Sequence, residues 1–357
     1  MKILTVVGAR PQFVKASAVS HVLRQANTEI LVHTGQHYDD RMSDVFFHEL
    51  EIPQPDYNLE VGSAGHSVQT GEMLIRMEPI FQQEKPDCVL VYGDTNSTLA
   101  GAMVASKLHI PVAHIEAGLR SFNREMPEEI NRVLTDHISQ WLFCPSMKAV
   151  DNLTAEGITK GVHVVGDVMY DGILRHIGSA EKNSAILHSL DLESHKYLLA
   201  TVHRAANVDN AERLFNILET FSLLDETVVF PVHPRTFKAI QSAGFSTGKN
   251  IKFIEPVGYL DMLWLEKNAR MILTDSGGVQ KEAYWMGVPC ITLREETEWV
   301  ETVQTGWNMI VGVERAKILD AVRGFLIPDS RPAIFGNGDA SQQIVQRLMN
   351  EIRATQH

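Results

Sequence analysis

Residues 88–108, CVLVYGDTNSTLAGAMVASKL, run five apolar residues through a Gly-Asp turn into a helix of small side chains. An apolar run without polar alternation is buried on both faces, as in a parallel sheet, and the helix that follows completes a strand-to-helix unit. Working outward, similar Ile-, Leu- and Val-rich runs recur about every 25 to 30 residues, with amphipathic segments between them. Strands are predicted at 2–7, 29–34, 87–92, 111–115, 140–144 and 162–165, and again at 197–202, 227–232, 251–254, 270–274, 289–293 and 307–311. The fold class is α/β: two doubly wound, Rossmann-like domains facing a cleft. Residues 168–195 read as helix and polar turn, which sets the domains at 1–168 and 169–339. Ile344, Val345, Leu348, Met349 and Ile352 recur at helical spacing, so a helix over 340–355 is expected to pack back on the first domain.

Right-handed crossovers place every loop after a strand on one edge of each sheet, so functional groups belong at the strand C-termini. In the first half, ILTVV runs into GARPQFVK, where Gly8 permits a tight turn, Pro11 suits a first helical turn, and Arg10 and Lys15 flank an anion-binding corner. Lys15 reads equally well as a solvated helix lysine. HTGQHYDD supplies His33, Gln36 and His37 as ligand contacts or a plain turn; Gly35 argues against a helical metal pair, and no metal is expected. Asp94 can cap the helix that follows it. Glu116, between an apolar strand and Ala-Gly, has no capping use and reads as functional. Glu128 and Glu129 suit the dipole of a helix begun by Pro127. Asp94, Glu116 and Glu128 together come from neighbouring strand ends, and such a trio, split in pKa by burial and repulsion, can supply both a base and an acid.

The second half places His203 and Arg204 at a strand tip, and His233 and Arg235 at another, with structural and ligand roles open. Ser276, Gly277 and Gly278 open a helix whose N–H groups and dipole suit a diphosphate. Glu282, one turn down, suits ribose hydroxyls or a plain surface position.

Composition narrows the partners. The chain has 357 residues, with 32 basic against 44 acidic side chains and a net charge of -12. That field repels nucleic acid and anionic membranes, and no polybasic run offsets it. Cys88, Cys144 and Cys290 are odd in number and sit in apolar runs, as buried thiols of a reducing compartment do. No stretch reaches membrane-spanning length, and MKILTVVGARPQF is too brief for a signal-peptide core, so a cytoplasmic location is expected.

With GARPQFVK, GDTNST, HIEAGLRS, MPEEINR, TVHR and TDSGGVQKEA in this order, the chain resembles the non-hydrolysing UDP-N-acetylglucosamine 2-epimerases over nearly its whole length. The resemblance implies the two-lobed glycosyltransferase-B arrangement, a homodimer, and UDP held mainly by the second lobe. It implies that Arg10, His203, Ser276, Gly277, Gly278 and Glu282 hold UDP, and that Lys15, Asp94, Glu116 and Glu128 surround the sugar. In such enzymes C2 loses its proton as UDP leaves C1, giving a 2-acetamidoglucal to which UDP re-adds after protonation from the opposite face. No redox cofactor is required. Glu116 is assigned as the base, Asp94 and Glu128 share acid and positioning roles, and His203 stabilises departing UDP.

Ala206 in HRAAN stands where such enzymes commonly carry an acid. GARPQF and GDTNST also resemble the branch acting on UDP-2,3-diacetamido-2,3-dideoxyglucuronate, whose extra carboxylate needs a cation; Arg120, Arg132, Arg204 and Arg294 are the candidates. A hydrolysing epimerase and a transferase of the same fold are the rival readings.

Overall fold

In a computed structural model, residues 1–36, 49–232, 234–242 and 248–355 are described. The chain forms two compact units: Met1–Arg175 with Ala333–His357, and His176–Pro332. The first division falls inside helix Val168–Asn183, seven residues beyond the expected start of the second domain at 169.

The first unit carries strands β1 (Lys2–Val7), β2 (Thr28–His33), β3 (Tyr57–Asn58), β4 (Cys88–Tyr92), β5 (Val112–Ile115), β6 (Trp141–Cys144) and β7 (Val162–Val164). They form one parallel sheet in the order β3-β2-β1-β4-β5-β6-β7. Strand β3 was not expected. Its two residues pair with Val32 and His33 at the sheet edge, too short a run to leave a hydrophobic signal. Helix His66–Glu84 covers this sheet with Met73, Met77 and Phe81, one buried stripe at four-residue spacing, against Leu4, Val6, Val89 and Val91. Helix Ala340–Thr355 buries Ile344, Leu348 and Ile352 and packs on helix Arg10–Leu23. Asp171 accepts from the backbone N–H groups of Ser341 and Ala340, at 2.6 and 3.2 Å, and so fixes where that helix starts.

The second unit carries β8 (Tyr197–Thr201), β9 (Thr227–Pro231), β10 (Ile251–Ile254), β11 (Met271–Thr274), β12 (Cys290–Thr292) and β13 (Asn308–Ile310), parallel in the order β10-β9-β8-β11-β12-β13. Its core sets Leu198 and Ala200 against Leu214, Ile217, Leu218 and Phe221 of helix Ala211–Ser222, with the Phe221 and Phe230 rings edge to face.

In each unit the strand order reverses once, between β1 and β4 and between β8 and β11. The carboxyl ends flanking such a reversal are where open α/β sheets bind ligands. Cys88, Cys144 and Cys290 are buried and free, and burial pushes each thiol up. Among the described residues no helix is long and apolar enough to cross a membrane.

Candidate active site

At the reversal in the first unit, the tips of β1, β4 and β5 bring Lys15, Asp94 and Glu116 forward. Lys15 pairs with Glu116, both buried. This overrides the solvated-lysine alternative. Gly93, at φ 62°, lies beneath the pair; a Cβ there would stand 3.0 Å from Glu116 Oε2 and 3.2 Å from Lys15 Nζ. Glu116 itself adopts φ 71°, a left-handed conformation costly for a side-chain-bearing residue and concentrated at functional sites. The tip persists because the Glu116 and Ala117 N–H groups both donate to the Phe143 carbonyl at 3.1 Å.

Asp94 does not cap the helix after it. Thr95 does, accepting from the Thr98 N–H at 3.3 Å, while the Asp94 carboxylate meets the guanidinium of Arg132. A short hydroxyl already in place at the cap leaves the acid available for other work. The two helix glutamates also separate. Glu129 is buried and accepts from the Ser121 and Phe122 N–H groups at 2.9 Å and from Arg132 at 3.0 Å, clasping the loop after β5. Glu128 is half-buried beside it.

The GARPQFVK corner is closed from within. Gln12 Oε1 accepts from the Gly8 and Ala9 N–H groups at 2.8 and 3.0 Å, and its amide donates to the Tyr92 carbonyl and Thr98 Oγ1 at 2.9 and 3.0 Å. Two N–H groups expected to face an anion are therefore taken by a residue that sequence reasoning passed over. Gln36 Oε1 accepts from the Ser97 N–H and hydroxyl at 3.0 and 2.7 Å, tying the end of β2 to helix Asn96–Lys107. His33 is buried, stacked on Phe13 and hydrogen-bonded to Asn58, and burial holds its pKa below the usual histidine range. The Arg10 side chain and His37 lie outside what is described. Among the described residues no cluster of three His, Cys, Asp or Glu could hold a metal ion.

In the second unit the tips of β8 and β11 are joined by Asp275, fully buried. It accepts from the backbone N–H groups of His203 and Arg204 and from the Asn207 amide, at 3.0 to 3.2 Å. His203 Nδ1 lies 3.6 Å from the same carboxylate while the ring is exposed. Helix Gly277–Met286 starts at Ser276, whose own side chain makes no cap bond and whose N–H donates to Thr274 Oγ1 at 2.9 Å. A Cβ at Gly277 would come within 2.5 Å of Glu298 Oε1 and 3.1 Å of Trp299 Nε1, so a side chain there must displace Glu298. Glu298 is held by Arg294 at 3.1 Å and approached by Arg204 at 3.9 Å.

One turn on, Lys281 is buried with its Nζ 3.7 Å above the Trp299 ring, a cation–π contact that props the segment over the helix start. Glu282 is buried, not on the surface. Burial, with the charge of Glu282 adding to it, pushes the carboxyl of neighbouring Glu266 well above the usual range. Asp275 and Glu266 carried no sequence signal, since their partners lie elsewhere in the chain; Gln12 did, being a glutamine at the third position of its helix that caps Gly8 and Ala9 locally. His233 and the Arg235 side chain lie outside what is described, and Ala206 is exposed on the short helix Ala205–Val208.

The sequence model of a family described as UDP-N-acetylglucosamine 2-epimerase matches residues 21–349. A UDP-N-acetylglucosamine 2-epimerase homolog of Methanococcus maripaludis is 55% identical, over 98% of this chain and 100% of that one. The UDP-2,3-diacetamido-2,3-dideoxy-D-glucuronate 2-epimerase of Pseudomonas aeruginosa is 49% identical, over 98% and 99%. A crystal structure of the Methanocaldococcus jannaschii UDP-GlcNAc 2-epimerase, in complex with UDP-GlcNAc and UDP, superposes with a TM-score of 0.92 at 48% identity, over 98% of this chain and all of that one.

Proposed function

We propose, for a chain that belongs to the UDP-N-acetylglucosamine 2-epimerase family and is therefore an isomerase, that it interconverts UDP-N-acetylglucosamine and UDP-N-acetylmannosamine without net hydrolysis. The observation that carries this is the array of ionised groups at two neighbouring strand tips, Glu116 with Lys15 and Asp94 with Arg132. A C2–H next to no carbonyl is a poor acid, so its loss must be coupled to departure of a good leaving group. Glu116 takes the C2 proton as the C1–O bond breaks; Lys15 keeps that carboxylate charged and ready. UDP departs as a stabilised anion, held by the first turn of helix Gly277–Met286, by His203 and Arg204, and by Arg10. Glu282 takes the ribose hydroxyls. A proton returned from the opposite ring face, by Asp94 or Glu128, gives the inverted centre, and UDP re-adds at C1. His37, Gln36 and His233 line the substrate, and two copies of the chain form the working dimer.

The diacetamido-uronate is the second reading, supported by the Pseudomonas relative. Its carboxylate needs a cation. Arg120, Arg132 and Arg294 are buried and each already paired with carboxylates, and Arg204 is the more exposed of the four candidates.

Proton NMR with each sugar nucleotide in D2O tests both. Deuterium at C2 of UDP-N-acetylglucosamine, a stable epimer mixture and no accumulating UDP is the expected result. Exchange confined to the uronate shifts the substrate; UDP rising with product identifies a hydrolysing enzyme, and UDP release only with an acceptor identifies a transferase.

A further inference from the structure

Two strand tips carry Asp94 and Glu116, and both turn through left-handed backbone: φ is 62° at Gly93, 71° at Glu116 and 81° at Gly118. Between them, in β5, lies His114, fully buried. Its Nε2 is 2.7 Å from the Gly93 carbonyl, the oxygen of the peptide that bears Asp94. Its Nδ1 is 2.7 Å from Asp136 Oδ1. The other Asp136 oxygen accepts from the Gly118 N–H at 3.1 Å, two residues beyond Glu116, and from Arg120 Nη1 at 2.7 Å. Arg120 in turn grips Glu156 through Nε and Nη2, both at 2.7 Å. The same helix that bears Asp136, Pro127–Ile138, sends Arg132 to the Asp94 carboxylate and Asn131 to the Asp94 carbonyl at 3.0 Å.

We propose that His114 is a positioning residue, held as an imidazolium between Asp136 and the Gly93 carbonyl, which fixes the separation of the Asp94 and Glu116 tips. A carbonyl and a carboxylate both only accept, so each ring nitrogen must carry a proton to make its contact. A neutral ring would leave a lone pair facing an oxygen at 2.7 Å. The charges about the ring balance: His114 and Arg120 against Asp136 and Glu156. Stability is a poor explanation for such a row, since apolar residues of similar volume commonly replace buried ion pairs at no loss. What the row supplies is a rigid link from one helix to both tips. The inference rests on the reading that Asp94 and Glu116 work on one sugar ring.

The test joins kinetics to a direct view of the ring. His114→Leu is expected to keep its near-UV circular dichroism and its KM within about twofold while kcat falls about 100-fold, as displacement of reacting groups by about an ångström does. His114→Gln, whose amide can still reach the Gly93 carbonyl, is expected to recover about tenfold of that loss. Nitrogen-15 NMR of wild-type protein labelled at histidine should show both His114 nitrogens protonated under the assay conditions. A folded leucine variant with wild-type kcat, or a ring protonated on one nitrogen only, overturns the proposal. Should wild-type protein exchange C2 of neither sugar, the functional reading falls, and the NMR result decides the state of the ring by itself.

Discussion

The two units begin their first site helix with different side chains. At Gly8–Gln12 the chain spends its own side chain on the turn, with Gln12 accepting the Gly8 and Ala9 N–H groups. At Ser276 the side chain of the cap residue makes no such bond, and the Ser276 N–H donates to Thr274 Oγ1 at 2.9 Å. The buried acids differ in the same sense. Asp136 in the first unit is bound by His114 and Arg120 together with the Gly118 N–H, whereas Asp275 in the second is bound by backbone N–H groups and an amide, with His203 Nδ1 farther off at 3.6 Å. One parallel frame thus yields two kinds of arrangement: paired acids and bases at strand tips, of a kind suited to moving protons, and a glycine-led helix start, of a kind suited to holding a diphosphate.

That contrast predicts separable losses. Glu116→Gln removes the proton acceptor while keeping the side-chain shape, and should lower kcat by about 1,000-fold or more with UDP affinity unchanged in titration calorimetry. An equal loss of UDP affinity would merge the two roles. Gly277→Ala should do the converse on a smaller scale. Its methyl group displaces Glu298 and crowds Trp299 at the helix start. Weakening of UDP binding by about tenfold is expected, with the C2 exchange rate of saturated enzyme nearly intact, since binding shared by ground and transition states changes affinity and not kcat.

The smallest effect is on stability. Burial alone would raise the Asp136 carboxyl, but the hydrogen bond and charge of His114, with Arg120, outweigh it and hold the group below the ordinary range. A depressed acid stabilises the fold above its unfolded pKa, about 4, and that contribution disappears as pH falls through the lowered value. The stability gap between wild-type protein and Asp136→Asn, measured by urea unfolding, should therefore be constant near neutrality and narrow on acidification. A gap that widens in acid would mean the carboxyl is not held ionised.

Much of this was legible in the residue order. Continuous apolar runs such as CVLVY read as central parallel strands, and every one of the twelve expected runs overlaps a strand. Strand C-termini then located Lys15, Asp94, Glu116, His203 and Ser276 before any contact was known. Where local pattern misled, the reason lay in competition for one role: Asp94 and Thr95 both suit a helix cap, and spacing cannot say which fills it. Lys15 read as evenly solvated or functional because its partner, Glu116, lies 101 residues away.

Periodicity and turn chemistry, being properties of neighbours in the chain, were settled by sequence: the α/β class, the repeated strand-to-helix units, the helix starts at Pro127 and Gly277. The choice among chemically equal residues was not. Which acid pairs with which base, that Gln12 also reaches Tyr92 and Thr98, that His114 and Asp136 brace two tips, and that burial beside Glu282 pushes the Glu266 carboxyl up, depend on side chains brought together from separate elements, where burial strips away water and makes each partner decisive.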